Sequence, residues 1–409
     1  MSEQPIIVAA DLGSTTFRVL VARSRPDGRL QVLGTGEAPA TGYRDGDFTD
    51  VAAGSRALAR AVRAAEQAAD VDISGFRYTL GGAHLRTIGV RSQCPIPPVR
   101  EEIVPADVEN VLGRARSLAI PFDHVILGVY PVHFTVDGIG GVLDPVGRPG
   151  HRLEVDALLV TGSRSVQHNI EHTIDKAGFQ PAGWTIDILA AADALLSPAE
   201  REAGVALLDV GGLQTGWSVF RQGRLQACGH LPLGGHHLST DLAHGLRVEL
   251  QEAERIKCER GVALRSLVAE DVDPEILFEE EDPEETPGLV AAILEPRLEE
   301  IYMLVRREVA ENIPLVDLVE GVVVTGRGSL CEGSEQLAEE VFGTRARRRM
   351  EPLAVANPEA LSGPGWATAA GAALSLVADA DTPRAAADPG DGAPPRVRGL
   401  LRRLFGRGS

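Results

Sequence analysis

The chain has 409 residues, 44% of them hydrophobic, enough apolar material for more than one core. Its formal net charge of -18 argues against a nucleic-acid partner, because a phosphate backbone would be repelled by so acidic a body. Cys94, Cys228, Cys258 and Cys331 are isolated, fit no metal-ligand spacing and read as reduced thiols, while no apolar run reaches transmembrane length and no signal-peptide pattern precedes the first strand.

The first predicted element is an apolar strand, Ile6 to Asp11, that runs into Asp11-Leu12-Gly13-Ser14-Thr15-Thr16. A carboxylate at a strand tip can hold a metal-bound water, and glycine lets backbone N–H groups approach a phosphate. The apolar stretch Phe17 to Ala22 follows, so the unit reads as a hairpin. A third strand is expected near Leu30 to Gly34 and an Ala/Arg-rich helix from Ala52 to Ala69. Next come a strand (Leu85 to Val90), a helix (Ala106 to Leu118) and two strands (Val125 to Val136, Leu153 to Val160). Helices from Val166 to Ala177 and from Ile188 to Leu196 follow, with Asp187 placed to act as N-cap of the second.

A second hairpin begins at Val205 to Asp209, opens Asp209-Val210-Gly211-Gly212-Leu213-Gln214 and returns through Trp217 to Phe220. One Asp-x-Gly is often a plain turn. Two of them about two hundred residues apart suggest a duplicated fold clasping a nucleotide's phosphate tail. Glu254 and Lys257 share a helical face, as a ribose contact or as a solvated salt bridge. The strand Val322 to Thr325 ends in Gly326-Arg327-Gly328, a backbone against which a flat adenine can lie. The acidic run Glu279 to Glu285 reads as a solvated loop, and the basic run Arg345 to Arg349, without aromatic partners, as a surface strand.

Residues 378 to 395 carry Pro383, Pro389, Pro394 and Pro395 among Ala, Asp and Gly, the composition of a flexible spacer. Beyond it Val397, Leu400, Leu401, Leu404 and Phe405 recur at i, i+3, i+4, i+7 and i+8. At 100° per residue they cover an arc of roughly 140°, and arginines including Arg402 and Arg403 occupy the rest. Ten helical residues span only about 15 Å and cannot cross a bilayer. They can lie in the headgroup plane of an anionic membrane, arginines on phosphates and leucines among acyl chains; the plainer alternative is a terminal helix docked on the core.

The order phosphate loop, phosphate loop, Glu-x-x-Lys helix, glycine turn resembles that of the actin-like ATPase superfamily. Within it the chain is similar to the FtsA family of bacterial cell-division proteins, over nearly its whole length. The resemblance rests on Val129-Tyr130-Pro131 through Val136-Asp137 to Asp144-Pro145-Val146-Gly147, on Leu231-Pro232-Leu233-Gly234-Gly235 with Thr240-Asp241, on Glu295-Pro296-Arg297, on Trp366 to Gly371, and on the linker with its basic tail. It implies an α/β fold with a first actin-like domain (1A, residues 1–82 and 163–203), an SHS2 insertion (1C, 83–162) and a second domain (2A, 204–377). A helical insert (2B, 233–312), a linker (378–395) and a membrane-targeting helix (396–409) complete the expected organisation.

It also implies ATP bound by Asp11, Gly13, Ser14, Thr15, Thr16, Gly211, Gly212, Leu213, Gln214, Glu254, Lys257, Gly326, Arg327 and Gly328, with Mg2+ held through water by Asp11 and Asp209. Asp187 stands where several relatives carry a water-orienting side chain, and at most weak ATPase activity is implied. The implied setting is the cytoplasmic face of the inner membrane at the division septum. There the protein would polymerise, capture the C-terminal peptide of FtsZ and recruit later division proteins through the insertion. Arg297, Arg306 and Arg307 are candidates to receive that acidic peptide, against pairing with Glu299, Glu300 and Glu308. Leu213-Gln214 stands where Gly-Thr is usual, and Arg327 interrupts the usual Thr-Gly-Gly. The alternatives are a PilM-like adaptor of pilus assembly, which has no need of the basic tail, and a sugar kinase or chaperone of the same superfold.

Overall fold

Strand β1 (Ile6–Leu12) pairs antiparallel with β2 (Thr16–Ser24), and β2 with β3 (Leu30–Pro39); a small hairpin of β4 (Tyr43–Arg44) and β5 (Asp47–Phe48) follows. The computed structural model describes residues 5–99, 101–117, 120–268, 287–361 and 363–380. The acidic run 279–285 and the expected membrane helix 396–409 lie outside the described residues. β3 runs five residues beyond its expected end because its register against β2 continues to the pair Thr16↔Pro39. Helix α1 (Val51–Ala69) is capped by the Asp50 carboxylate, which accepts from Ala53 N at 2.9 Å. Its apolar face, Ala57, Leu58, Ala61, Val62 and Ala65, is buried against this sheet, and truncating Leu58 to Ala would cost about 2–5 kcal/mol.

β6 (Gly75–Leu80) and β11 (Gln180–Ile186) complete the first sheet in the order β11-β6-β1-β2-β3, with β6 parallel to both neighbours. The second sheet repeats this plan. β12 (Val205–Val210), β13 (Thr215–Arg221) and β14 (Arg224–Leu231) form an antiparallel meander, and β15 (Val322–Thr325) and β16 (Ala346–Arg348) add on in parallel, giving β14-β13-β12-β15-β16. The duplication expected from two Asp-x-Gly hairpins is therefore a duplication of whole sheets.

Between β6 and β11 lies a separate four-stranded unit: β7 (Arg86–Pro95), helix α2 (Pro105–Arg116), β8 (His124–Val136), β9 (Ile139–Val142) and β10 (Arg152–Ser163), ordered β7-β10-β8-β9. It has its own apolar cluster, centred on Val108, Val111, Leu112, Phe134 and Leu153. β7 extends to Pro95, past the expected Val90, because it stays in register with β10 throughout. This unit also touches the edge strand of the second sheet: Thr87 Oγ1 donates to the Cys228 carbonyl at 2.8 Å, and Arg224 lies over the Phe134 ring.

Helix α3 (Arg164–Lys176) leads from the inserted unit back to β11, and α4 (Asp187–Leu195) and α5 (Pro198–Ala203) lead from the first sheet to the second. Helices α6 (Gly235–Leu246), α7 (Leu250–Arg260) and α8 (Pro287–Asn312) form the helical insert, and α9 (Ser334–Phe342) precedes β16. The final helix α10 (Ala367–Ala380) packs closely on α4, and residues 378–380, expected in the linker, belong to this helix. The basic run 345–349 does supply an edge strand with Arg345 and Arg348 exposed, and its arginines are paired within the fold. Arg347 and Arg349 converge on Glu200 of α5, Arg349 through bonds of 2.9 and 3.0 Å, and Arg345 pairs with Glu320.

Candidate functional site

β1 and β12 end beside one another in a cavity whose lining includes Asp11, Asp187, Asp209 and Arg18. Asp11 is 8% exposed and accepts a hydrogen bond from Thr79 Oγ1 at 3.1 Å, while that hydroxyl accepts from Leu12 N at 2.9 Å. Burial pushes Asp11 up to about 7, with Arg18 opposing, and pushes Asp209 up to about 6, with the Asp187 charge adding. Thr368 Oγ1 lies 3.5 Å from Asp209 Oδ2, and Gly326, at φ +86°, comes so close to this carboxylate that any Cβ there would collide with it. Two desolvated carboxylates in one cavity suit a divalent cation, which would remove the penalty on their ionised forms. Among the described residues no group of three or more His, Cys, Asp or Glu could hold a metal. One or two carboxylates, with water and phosphate oxygens completing the shell, is the usual provision for Mg2+ and not for zinc, so Asp11 and Asp209 fit it.

The loops after the two strands touch. Leu213 N donates to Ser14 Oγ at 3.0 Å, and Gly212 faces Thr15 so closely that a side chain at 212 would collide with it. A Cβ on Gly13 would stand 2.7 Å from the Thr16 carbonyl oxygen. Helix α6 grips the second loop from behind, Gly235 N donating to the Gly211 carbonyl at 2.8 Å and His236 N to that of Gly212 at 2.7 Å. The result is a cleft with glycine loops on both walls and carboxylates at its floor, the arrangement suited to a polyphosphate with its metal ion.

Of the residues expected at a nucleotide site, Asp11, Gly13, Ser14, Thr15, Asp187, Asp209, Gly211, Gly212, Gln214, Gly326 and Arg327 line this one cavity. Thr16, Leu213 and Gly328 adjoin it without lining it; a Cβ on Gly328 would lie 3.0 Å from the Gly211 carbonyl oxygen. Glu254 and Lys257 do not line it either. Their salt bridge is solvated on one side only: Glu254 is half-exposed, whereas Lys257 is 8% exposed, and its ammonium donates to Glu254 Oε2 at 2.7 Å, Ser239 Oγ at 2.8 Å and the Gly235 carbonyl at 2.9 Å. Asp187 is not the N-cap of α4, a position Ile186 takes. Its Oδ1 accepts from Ile188 N at 2.6 Å and from His230 Nε2 at 2.8 Å.

Arg297, Arg306 and Arg307 lie on α8, away from the cleft. Arg297 is engaged by Asp241 at 2.6 Å and by Glu300, Arg307 reaches Glu308 only at 3.8 Å, and Arg306 and Arg307 are exposed. Asp241 belongs to α6, 56 residues away in sequence, so it was absent from the neighbours expected to compete for Arg297.

Sequence reasoning passed over Arg18, Thr79, Thr368 and His230. Arg18 had a readable signal, a lone charge inside the apolar stretch Phe17 to Ala22. In the structure it is 7% exposed, bonds Glu37 at 2.9 Å and lies over the Trp366 ring. The other three lie in ordinary strand or helix contexts and had none.

Two matching sheets with a cleft between them and a four-stranded unit inserted into the first half define a two-domain actin-fold protein. Residues 206–371 match the family of cell division protein FtsA, and residues 82–161 match the SHS2 domain inserted in FtsA. The cell division protein FtsA of Streptococcus pneumoniae is 31% identical over 368 residues, covering 90% of this chain and 79% of its own. The FtsA of Pseudomonas aeruginosa is 31% identical, with 82% of this chain and 81% of its own covered. The chain belongs to the FtsA family. Among solved structures, the PilM-PilN type IV pilus biogenesis complex superposes with a TM-score of 0.63 at 17% identity, over 92% of this chain and 99% of that one. The ethanolamine utilization protein EutJ from Carboxydothermus hydrogenoformans superposes at 0.51, also at 17% identity, over 91% and 90%. At such identities the likeness is one of fold alone.

Proposed function

We propose that the cleft binds ATP with Mg2+, and that the chain polymerises on the cytoplasmic face of the inner membrane at the division septum. There it tethers FtsZ filaments by their C-terminal peptide and recruits later division proteins through the inserted unit. The observation that carries the nucleotide reading is the Leu213 to Ser14 hydrogen bond, which joins the two glycine loops beside the cavity that Asp11 and Asp209 line. The two loops would cradle the phosphates, Asp11 and Asp209 would hold Mg2+ through water, and Gly326, Arg327 and Gly328 would take the adenine. Glu254, half-exposed beside the buried Lys257, is the candidate ribose contact. Bound Mg2+ would supply charge neutralisation at the phosphates.

The tethering reading draws on the FtsA relatives, which are named cell division proteins, and on the basic amphipathic pattern of residues 396–409. None of the described helices is long and apolar enough to cross a membrane, which accords with attachment by such a segment. Cosedimentation with anionic liposomes and FtsZ tests it. FtsZ should pellet with the full chain and stay in solution with a chain lacking residues 396–409. Equal pelleting in both would remove the tethering role from this segment.

A further inference from the structure

His230 lies on β14, the edge strand of the second sheet, while Asp187 opens α4 and follows directly from the first sheet. Their side chains meet across the cleft, Nε2 to Oδ1 at 2.8 Å, with only 3% of the imidazole and 19% of the carboxylate exposed. Two glycines clear the space for this contact. Gly216 sits directly opposite His230 in the β13–β14 pairing and lines the cavity, and a Cβ on it would stand 3.4 Å from His230 Nε2 and 3.2 Å from Ile188 Cβ. The ring leans over β13 because position 216 has no side chain. On the far side, a Cβ on Gly81 would collide with Asp187 Oδ2. Asp187 Oδ1 also accepts from Ile188 N at 2.6 Å, so two donors fix the rotation of the carboxylate while the residue faces the cavity.

We propose that His230 is a positioning residue, holding the Asp187 carboxylate in line with the water that attacks the γ-phosphate, and that it does so across the two halves of the protein. The proposal rests on the reading of the cleft as an ATP site. In the step concerned, the water oxygen bonds to the γ-phosphorus as the bond from phosphorus to the bridging oxygen breaks. The bridging oxygen leaves on ADP with the electron pair, and the water proton passes to Asp187 and then to the phosphate product. His230 gives up no proton; its N–H stays on Oδ1. Because donor and acceptor come from opposite halves, the carboxylate is aligned only while the halves are closed on each other, which links turnover to closure.

The test measures ATP affinity and single-turnover phosphate release on the full chain with Mg2+. Asp187→Asn and His230→Ala should each slow release by about tenfold to a hundredfold, with affinity held within about threefold. The double variant should be no slower than the slower single one, as for residues acting as a unit. His230→Gln, which retains an N–H donor, should recover part of the rate. Gly216→Ala, which crowds the ring without removing either bonding group, should slow release as well. Wild-type release from His230→Ala, fully additive losses in the double variant, or a wild-type protein that binds ATP without releasing phosphate would each overturn the positioning role. Failure of the wild-type protein to bind ATP would overturn the nucleotide reading itself, so the two failures are told apart by the affinity measurement.

Discussion

The backbone N–H of Leu213 donates to the hydroxyl of Ser14 at 3.0 Å, although the two residues lie 199 positions apart in the chain. The first loop contributes a side chain to this bond and the second loop only its main chain. A leucine therefore serves at position 213, because the contact is indifferent to the side chain it carries. Gln214 faces the cavity itself, where its amide has donors to offer a phosphate oxygen.

Nucleotide affinity should depend on that junction. Gly13→Val would force a Cβ to within 2.7 Å of the Thr16 carbonyl oxygen and so deform the first loop. It should abolish binding of a fluorescent ATP analogue, whereas Ser14→Ala should weaken it by about 1 kcal/mol, the worth of one hydrogen bond. Glu254→Ala should also weaken it if the ribose lies there. Unchanged affinity in all three variants would remove the nucleotide assignment.

Acid stability should depend on Glu200. Burial alone would raise its pKa, but hydrogen bonds from Arg349, Ser197 and Arg347 outweigh burial and hold the carboxyl well below the usual carboxylate range. The folded state thus binds fewer protons than the unfolded chain once the pH drops toward the ordinary value of 4.5, so this contribution is full above that pH and is lost below it. Glu200→Gln should be about 2 kcal/mol less stable than wild type at neutral pH, and the gap should start to narrow as the pH falls below about 5 and keep narrowing until the pH reaches the depressed folded-state value, well below the ordinary carboxylate range. Urea titrations across that range measure it; a gap independent of pH would show that shape, not charge, is what Glu200 provides.

Capture of the FtsZ peptide is expected on α8, by Arg306 and Arg307. Arg297 is a poorer candidate than its sequence position suggests, since Asp241 and Glu300 already hold its guanidinium. Replacing Arg306 and Arg307 by glutamate should lower the affinity for the FtsZ tail peptide at least about tenfold in a calorimetric titration, through lost attraction and added repulsion. Wild-type affinity would move the docking site elsewhere on the helical insert.

Membrane attachment should rest on two comparable terms. The five apolar side chains from Val397 to Phe405 offer a few kcal/mol at about 25 cal/mol per Å² inserted, and each arginine adds roughly 1 kcal/mol at an anionic surface. Binding to liposomes should therefore fall as salt rises, and assembly into filaments should strengthen it by multiplying anchors. Leu404→Glu with Phe405→Glu should release the protein, and continued pelleting of that double variant with anionic vesicles would show that the anchor lies elsewhere.

The parts of this protein readable in its amino-acid order are those whose cause is local. An apolar strand, an Asp, a glycine and a second apolar strand are contiguous, so both hairpins and the carboxylates Asp11 and Asp209 could be named before any fold was known. Three of the inserted unit's four strands were legible for the same reason; β9 was not, and β7 was cut short because its later residues are held by pairing with β10 and not by their own apolar content. What folding alone decided is which distant groups meet. Arg18 enters the cleft, Glu200 gathers Arg347 and Arg349, Asp241 takes Arg297, and His230 crosses to Asp187 over a glycine. Each of these depends on desolvated partners 43 or more residues apart, or on a buried cavity formed by several elements at once. No periodicity within one segment encodes such a meeting, because its energy exists only after the separate elements that carry the partners have packed together.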